Sequence, residues 1–128
     1  MGQYLLDTHT AIWFFNGESA LSETAKRIIL DLSNSKYLSM ASAWELAIKI
    51  GLGKLDFQGK AAGFIGLAES NGFTILPIKT AHLSALETLP LLHRDPFDRL
   101  LAATAITEQM TLISADKNIA QYKTTLIW

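Results

Sequence analysis

The chain has 128 residues, 49% of them hydrophobic and 18% charged, which suits one ordered domain and excludes intrinsic disorder. Eleven basic against twelve acidic residues leave a net charge of −1, so the total shows no strongly basic footprint for nucleic acid. The absence of cysteine excludes disulfide scaffolds, thiolate zinc sites and thiol catalysis, so any metal must be held by oxygen or histidine.

Tyr4-Leu5-Leu6 is a short apolar run closed by Asp7 and reads as a buried strand. A helical piece over 10–15 stops at Asn16-Gly17. Ser22 is placed to cap a helix over 23–32, with Ile28, Ile29 and Leu32 on one face. The next strand is Tyr37-Leu38-Ser39-Met40. Ser42 is then the expected cap of a helix carrying Trp44, Glu45, Ile48 and Lys49, closed by Gly51 and Gly53. A helix over 60–70 ends at Gly72, a strand over 73–76 precedes Pro77, and another helix spans 80–88. After a loop over 89–94 comes a strong helix from Pro96 to about Gln109. Thr111-Leu112-Ile113-Ser114 is a strand, residues 117–122 form a short helix, and residues 125–128 form a last strand. Short apolar strands alternating with helices predict an α/β fold, a mainly parallel sheet covered on both faces, within a single domain over 1–128. The longest uncharged run, 8–17 with His9 neutral, is ten residues, against the ~20 that a membrane span needs. The N-terminus lacks the features of a signal peptide, so a soluble cytoplasmic protein with no membrane partner is expected.

In parallel sheets ligands sit beyond the carboxyl ends of the strands. Asp7 ends the first strand and Asp116 follows the fourth. Glu45 is placed in the first turn of the helix after the second strand, and Asp98 in the first turn of the helix before the fourth. Four carboxylates gathered on one edge would repel each other, and a divalent cation removes that penalty. All-oxygen ligands favour Mg²⁺ or Mn²⁺, and carboxylate-held metal points to phosphoryl chemistry.

Each acid also has a structural reading. Asp95-Pro96-Phe97-Asp98 is a strong helix start, with Asp95 as N-cap, Pro96 at N1 and Asp98 at the positive end of the dipole. Glu45 can pair with Lys49 one turn on, for roughly 0.2–0.5 kcal/mol. Asp116 can cap the short helix after it. Asp7 has the weakest structural reading, since an acid closing a buried strand is costly unless satisfied. Thr8, His9, Ser114, Arg94 and Arg99 are candidates for supporting contacts or for substrate. For His9 a hydrogen-bonded structural role is the commoner alternative, for Thr8 and Ser114 a turn role stands level with the supporting one, and for the arginines solvated surface charge is the default. Trp13, Trp44, Phe14 and Phe15 are expected in the core or an interface, not as platforms for stacking bases.

The sequence resembles the PIN-domain proteins, specifically the VapC-like toxins of type II toxin–antitoxin pairs. The resemblance rests on four segments in the family's order. These are Leu5-Leu6-Asp7-Thr8-His9; Ser42-Ala43-Trp44-Glu45-Leu46-Ala47-Ile48-Lys49 with Leu52-Gly53-Lys54-Leu55; His93-Arg94-Asp95-Pro96-Phe97-Asp98-Arg99-Leu100-Leu101-Ala102; and Leu112-Ile113-Ser114-Ala115-Asp116. It implies a PIN-like fold, a five-stranded parallel sheet in order 3-2-1-4-5 flanked by helices, and a Mg²⁺- or Mn²⁺-dependent ribonuclease. The family's catalytic acids fall on Asp7, Glu45, Asp98 and Asp116. Asp7, Asp98 and Asp116 would hold the metal, and Glu45 a second ion or the attacking water. Asp95 is a supporting acid, and Ser114 stands where the family often has Thr. The resemblance further implies an RNA substrate cut to 5′-phosphate and 3′-hydroxyl ends, a homodimer and a cognate antitoxin. Two other readings compete. A dehalogenase-like phosphatase on small phosphoesters needs a second Asp where His9 stands. A receiver-like phosphoacceptor module needs adjacent acids near the first strand, where only Asp7 is present.

Overall fold

A computed structural model describes residues 2–122 and 124–128. Five strands form one parallel sheet in the order β3-β2-β1-β4-β5. They are β1 Gln3–Leu6, β2 Ser35–Ser39, β3 Thr74–Leu76, β4 Thr111–Ile113 and β5 Leu126–Ile127. The helices are α1 Thr8–Phe15, α2 Glu23–Leu30, α3 Met40–Gly51, α4 Lys60–Ser70, α5 Thr80–Thr88 and α6 Pro96–Glu108, with a 3₁₀ turn at Ile119–Gln121. The predicted order 3-2-1-4-5 is the observed one.

Successive strand residues point to opposite faces, and here both faces are apolar and covered. Leu6, Leu38, Ile75, Ile113 and Ile127 lie side by side in register and belong to the core under α1–α4. Leu5, Leu112 and Leu126, with Tyr37, face the second core, built on Leu101 and Ala105 of α6 and on Ile119. Leu5, Leu6, Leu38, Leu112 and Ile113 are fully buried, which explains why these strands read as continuous apolar runs. Together the two cores hold the carboxyl edge of β1 and β4, where the acids sit.

Four local expectations are corrected. Helix α3 starts directly after β2, capped by Ser39, whose Oγ accepts from Ala41 N at 3.0 Å. Ser42 is therefore an interior residue of α3 rather than its cap, and Glu45 lies in the second turn rather than the first. Leu32 lies beyond α2 and is 92% exposed, so it is not part of that helix's apolar face. The short helix predicted over 117–122 shrinks to the 3₁₀ turn. Ser22 and Asp95 cap α2 and α6 as expected. No helix among the described residues is long and apolar enough to cross a membrane.

Candidate metal centre

Asp7 directly follows β1 and caps α1. Its Oδ1 accepts from Thr10 N at 2.7 Å, and its Oδ2 accepts from the Ser114 hydroxyl. Those bonds offset the cost of keeping it 5% exposed. Ser114 Oγ also accepts from Asp116 N at 3.0 Å. One hydroxyl just past β4 thus fixes the side chain of the first acid and the backbone of the last. The turn reading of Ser114 and the supporting one coincide.

Asp98 stands in the first turn of α6, where Asp95 accepts from both Phe97 N and Asp98 N. Asp116 Oδ1 accepts from Asn118 N at 2.8 Å, which closes the turn after β4. Between Asp98 and Asp116 lies His93. Its Nε2 is 3.1 Å from an oxygen of each. Its Nδ1 accepts from Asp95 N at 3.2 Å, so in the neutral ring the proton sits on Nε2 and points at the two acids. The loop carrying it is pinned by buried Tyr122, whose Oη accepts from Leu92 N and His93 N. One ligand atom each from His93, Asp98 and Asp116 fall within 4.8 Å of one another.

These residues line a cleft of about 460 Å³ with Asp7, His9, Trp13, Asp95 and Ala115. Four carboxylates face it, and no Lys or Arg among the described residues does. The crowding shows in Asp98, whose carboxyl is pushed up to about 7 by burial, then by the charges of Asp95, Asp7 and Glu45, against His93. Asp116 is different. Burial works against its ionisation, but the Asn118 N–H and His93 outweigh it and hold it below the usual carboxylate value.

Glu45 sits behind this cleft rather than on its wall. It is 2% exposed, with Oε1 2.7 Å from the Thr8 hydroxyl and Oε2 2.7 Å from Lys49 Nζ. Thr8 Oγ1 is also 3.0 Å from Ser42 Oγ. The i,i+4 partner expected for Glu45 is present, yet its charge still reaches Asp98. Arg99 turns away: its Nη2 donates to the Leu89 carbonyl at 3.1 Å. Arg94 is exposed and outside the cleft lining. His9 is exposed on the rim and makes no hydrogen bond among the described residues.

The family model for the PIN domain matches residues 4–124. The chain belongs to the PIN-domain family. Solved structures with the same fold include VapBC2 from Rickettsia felis bound to a DNA fragment from its promoter, at 18% identity, TM-score 0.73 and 98% coverage of both chains. A toxin–antitoxin complex from Klebsiella pneumoniae matches at 19% identity and TM-score 0.64, covering 98% of this chain and 96% of that one. The PIN-domain endonuclease Utp24 matches at 16% identity and TM-score 0.53, covering 93% and 74%. A search of curated protein sequences found no match.

Sequence reasoning gave His93 no role, although it lies inside a quoted PIN segment. Its only signal was position, two residues before the α6 cap. Trp13 was expected in the core or an interface. It does pack on the core, but it also walls the cleft.

Proposed function

We propose that this PIN-domain chain is a divalent-metal-dependent endoribonuclease, the toxin of a type II toxin–antitoxin pair, that hydrolyses RNA to 5′-phosphate and 3′-hydroxyl ends. The observation that carries the reading is the frustrated carboxyl of Asp98, held near 7 in a cleft it shares with Asp7, Asp95 and Asp116. Such mutual repulsion costs stability and is relieved by a cation. The donor set is carboxylate oxygens with one imidazole, which suits Mg²⁺ or Mn²⁺.

Asp7, Asp98 and Asp116 would hold the ion, with Glu45 supporting the site from behind. When bound, a divalent ion polarises the phosphate and lowers the pKa of water. The protein's own contribution is placement. Ser114 sets Asp7 and Asp116 in fixed relation. Thr8 ties α1 to Ser42 and Glu45 on α3, so the two helices that follow β1 and β2 are joined by buried polar contacts. His93 keeps a proton on Nε2 between Asp98 and Asp116 and lowers the repulsion between them. Asp95 caps α6 and so fixes the turn that presents Asp98.

The toxin–antitoxin and endonuclease structures of the same fold support the functional class. A homodimer and a cognate antitoxin belong to the same reading. They are supported by Met40, Trp44, Ile48 and Leu52, which recur every four residues along α3 and its end and are all exposed. An apolar row of this kind calls for a protein partner.

The test is incubation of the protein with single-stranded RNA in Mg²⁺, in Mn²⁺ and in chelator, alongside Asp7→Asn and Asp116→Asn. We expect cleavage with either metal, 5′-phosphate ends, and loss of cleavage in chelator and in both folded variants. Cleavage that survives chelation, or products with cyclic phosphate ends, would overturn the reading.

A further inference from the structure

The lining of the acidic cleft has two chemistries. One is the carboxylate set. The other is a pair of aromatic rings on α1, His9 and Trp13, one helical turn apart and therefore on one face. Trp13 is held before any ligand arrives: Trp128 meets it edge-on at 5.7 Å and 61°. The His9 ring lies 6.1 Å from that of Trp13 at 46°. His9 is exposed and has no hydrogen bond among the described residues, so its ring is open to a ligand.

Electrostatics give these rings a task. A polyanionic strand entering the cleft meets four carboxylates and, among the described residues, no cationic side chain in its lining other than histidine. Of the basic residues that flank these acids in sequence, Arg99 is committed to the Leu89 carbonyl, while Arg94 and Lys117 are exposed and outside the cleft lining. Phosphate contacts are the usual source of affinity for nucleic acid, and this wall does not supply them. Aromatic faces can, because every base has a π-face and stacking does not depend on phosphate charge. The rings are also rigidly tied to the reaction centre. Asp7 is the N-cap of α1, and at 1.5 Å per residue Trp13 lies about 9 Å along the axis from it, within reach of a base whose phosphate sits at the acids.

We propose that Trp13 and His9 form a nucleobase-stacking subsite beside the carboxylates, so that a single strand is held in the cleft by its bases. This rests on the nuclease reading above and adds how the substrate is gripped. Trp13 is a positioning residue in this account, and His9 completes the platform.

The experiment compares two probes of equal length and charge, a single-stranded RNA 12-mer and an abasic ribose-phosphate 12-mer. Binding is followed by fluorescence anisotropy with Ca²⁺ in place of Mg²⁺ to slow turnover. Trp13→Leu should weaken binding of the base-bearing strand about tenfold and leave the abasic strand within twofold. His9→Ala, a surface change that does not threaten the fold, should cost the base-bearing strand about threefold, and Trp13→Phe should recover most of the loss. Circular dichroism checks that each variant is folded. Equal losses on both probes, or none on either, would overturn the stacking subsite. A wild type that cleaves RNA in Mg²⁺ while both variants keep the full preference for bases would sink this proposal alone. A wild type that neither binds nor cleaves RNA would sink the nuclease reading with it.

Discussion

Helix α6 carries an acid against a histidine at each end, and the two pairs behave in opposite ways. At its C-terminus Glu108 lies 2.6 Å from His82 Nε2 and 3.2 Å from Lys79 Nζ. The His82 hydrogen bond, then Lys79, hold Glu108 below its ordinary value. His82 is 1% exposed, and its Nδ1 accepts from Lys79 N, so both ring nitrogens are satisfied. At the N-terminus Asp98 also has a histidine, at 3.1 Å, yet it is pushed up to about 7. The difference is stoichiometry. One acid facing a histidine and a lysine makes a brace between α5 and α6. Three or four acids around one histidine leave charge for which the described residues lining the cleft offer no Lys or Arg counterion, and that excess is what sets the proposed site apart from the scaffold.

The comparison is broken most directly by neutralising one acid at each end. Asp98→Asn should cut nuclease activity at least about a hundredfold while raising the melting temperature of the metal-free protein by a few degrees, roughly 1 kcal/mol. Glu108→Gln should do the reverse, keeping activity per folded molecule and lowering the melting temperature. If Asp98→Asn were destabilising without metal, the crowding at that end would not be real.

The pH dependence sharpens the same contrast. Asp98 keeps a proton up to about 7 in the folded protein, against 3.8 for an ordinary Asp. Its stabilising contribution is therefore complete below the unfolded value and lost as pH rises through 7. Glu108 runs the other way, contributing above its unfolded value and losing that contribution as pH falls through the lowered folded one. In the proposed site a metal ion would have to displace the Asp98 proton. Apparent Mn²⁺ affinity should thus rise by up to about tenfold between pH 6 and 7 and level off above, with proton release seen in buffers of different ionisation enthalpy. A flat profile would separate Asp98 from the metal.

Smaller effects test the scaffold. His82→Ala removes a buried ring and its bond to Glu108 and should cost about 2–3 kcal/mol in denaturant unfolding, with activity per folded molecule unchanged. Tyr122→Phe removes the oxygen that accepts from Leu92 N and His93 N. It should cost about 1 kcal/mol and show as faster hydrogen exchange at those two amides. Protection that stays the same would mean the His93 loop is held by other contacts.

Much of this fold was legible because its strands are short, apolar and separated by helices with strong boundaries, such as Ser22, Gly72 and Asp95-Pro96. Asp7 was the most telling single residue, since an acid closing a buried strand needs a reason. The start of α3 was not legible. Strand β2 runs into the helix with no intervening loop, and Met40-Ala41 continues its apolar pattern, so Ser42 looked like the cap that Ser39 is. His93 was invisible as a functional residue because its partners, Asp98 and Asp116, come together only when the α6 lead-in folds over the end of β4. Arg99 was expected beside the acids, but one residue along a helix is a 100° turn, enough to send its side chain back to Leu89. Trp13 is i+4 from His9, a spacing visible in the sequence. That their common face walls the cleft depended on where α1 docks.

The most direct measurement is calorimetric titration of Mn²⁺ into the wild type, Asp7→Asn and Asp98→Asn, with circular dichroism confirming each fold. We expect saturable binding to the wild type and sharp weakening in both variants, since acids from β1 and α6 would then share one ion. Unchanged Mn²⁺ binding in both folded variants would contradict the account and leave the two acids as helix caps and dipole partners.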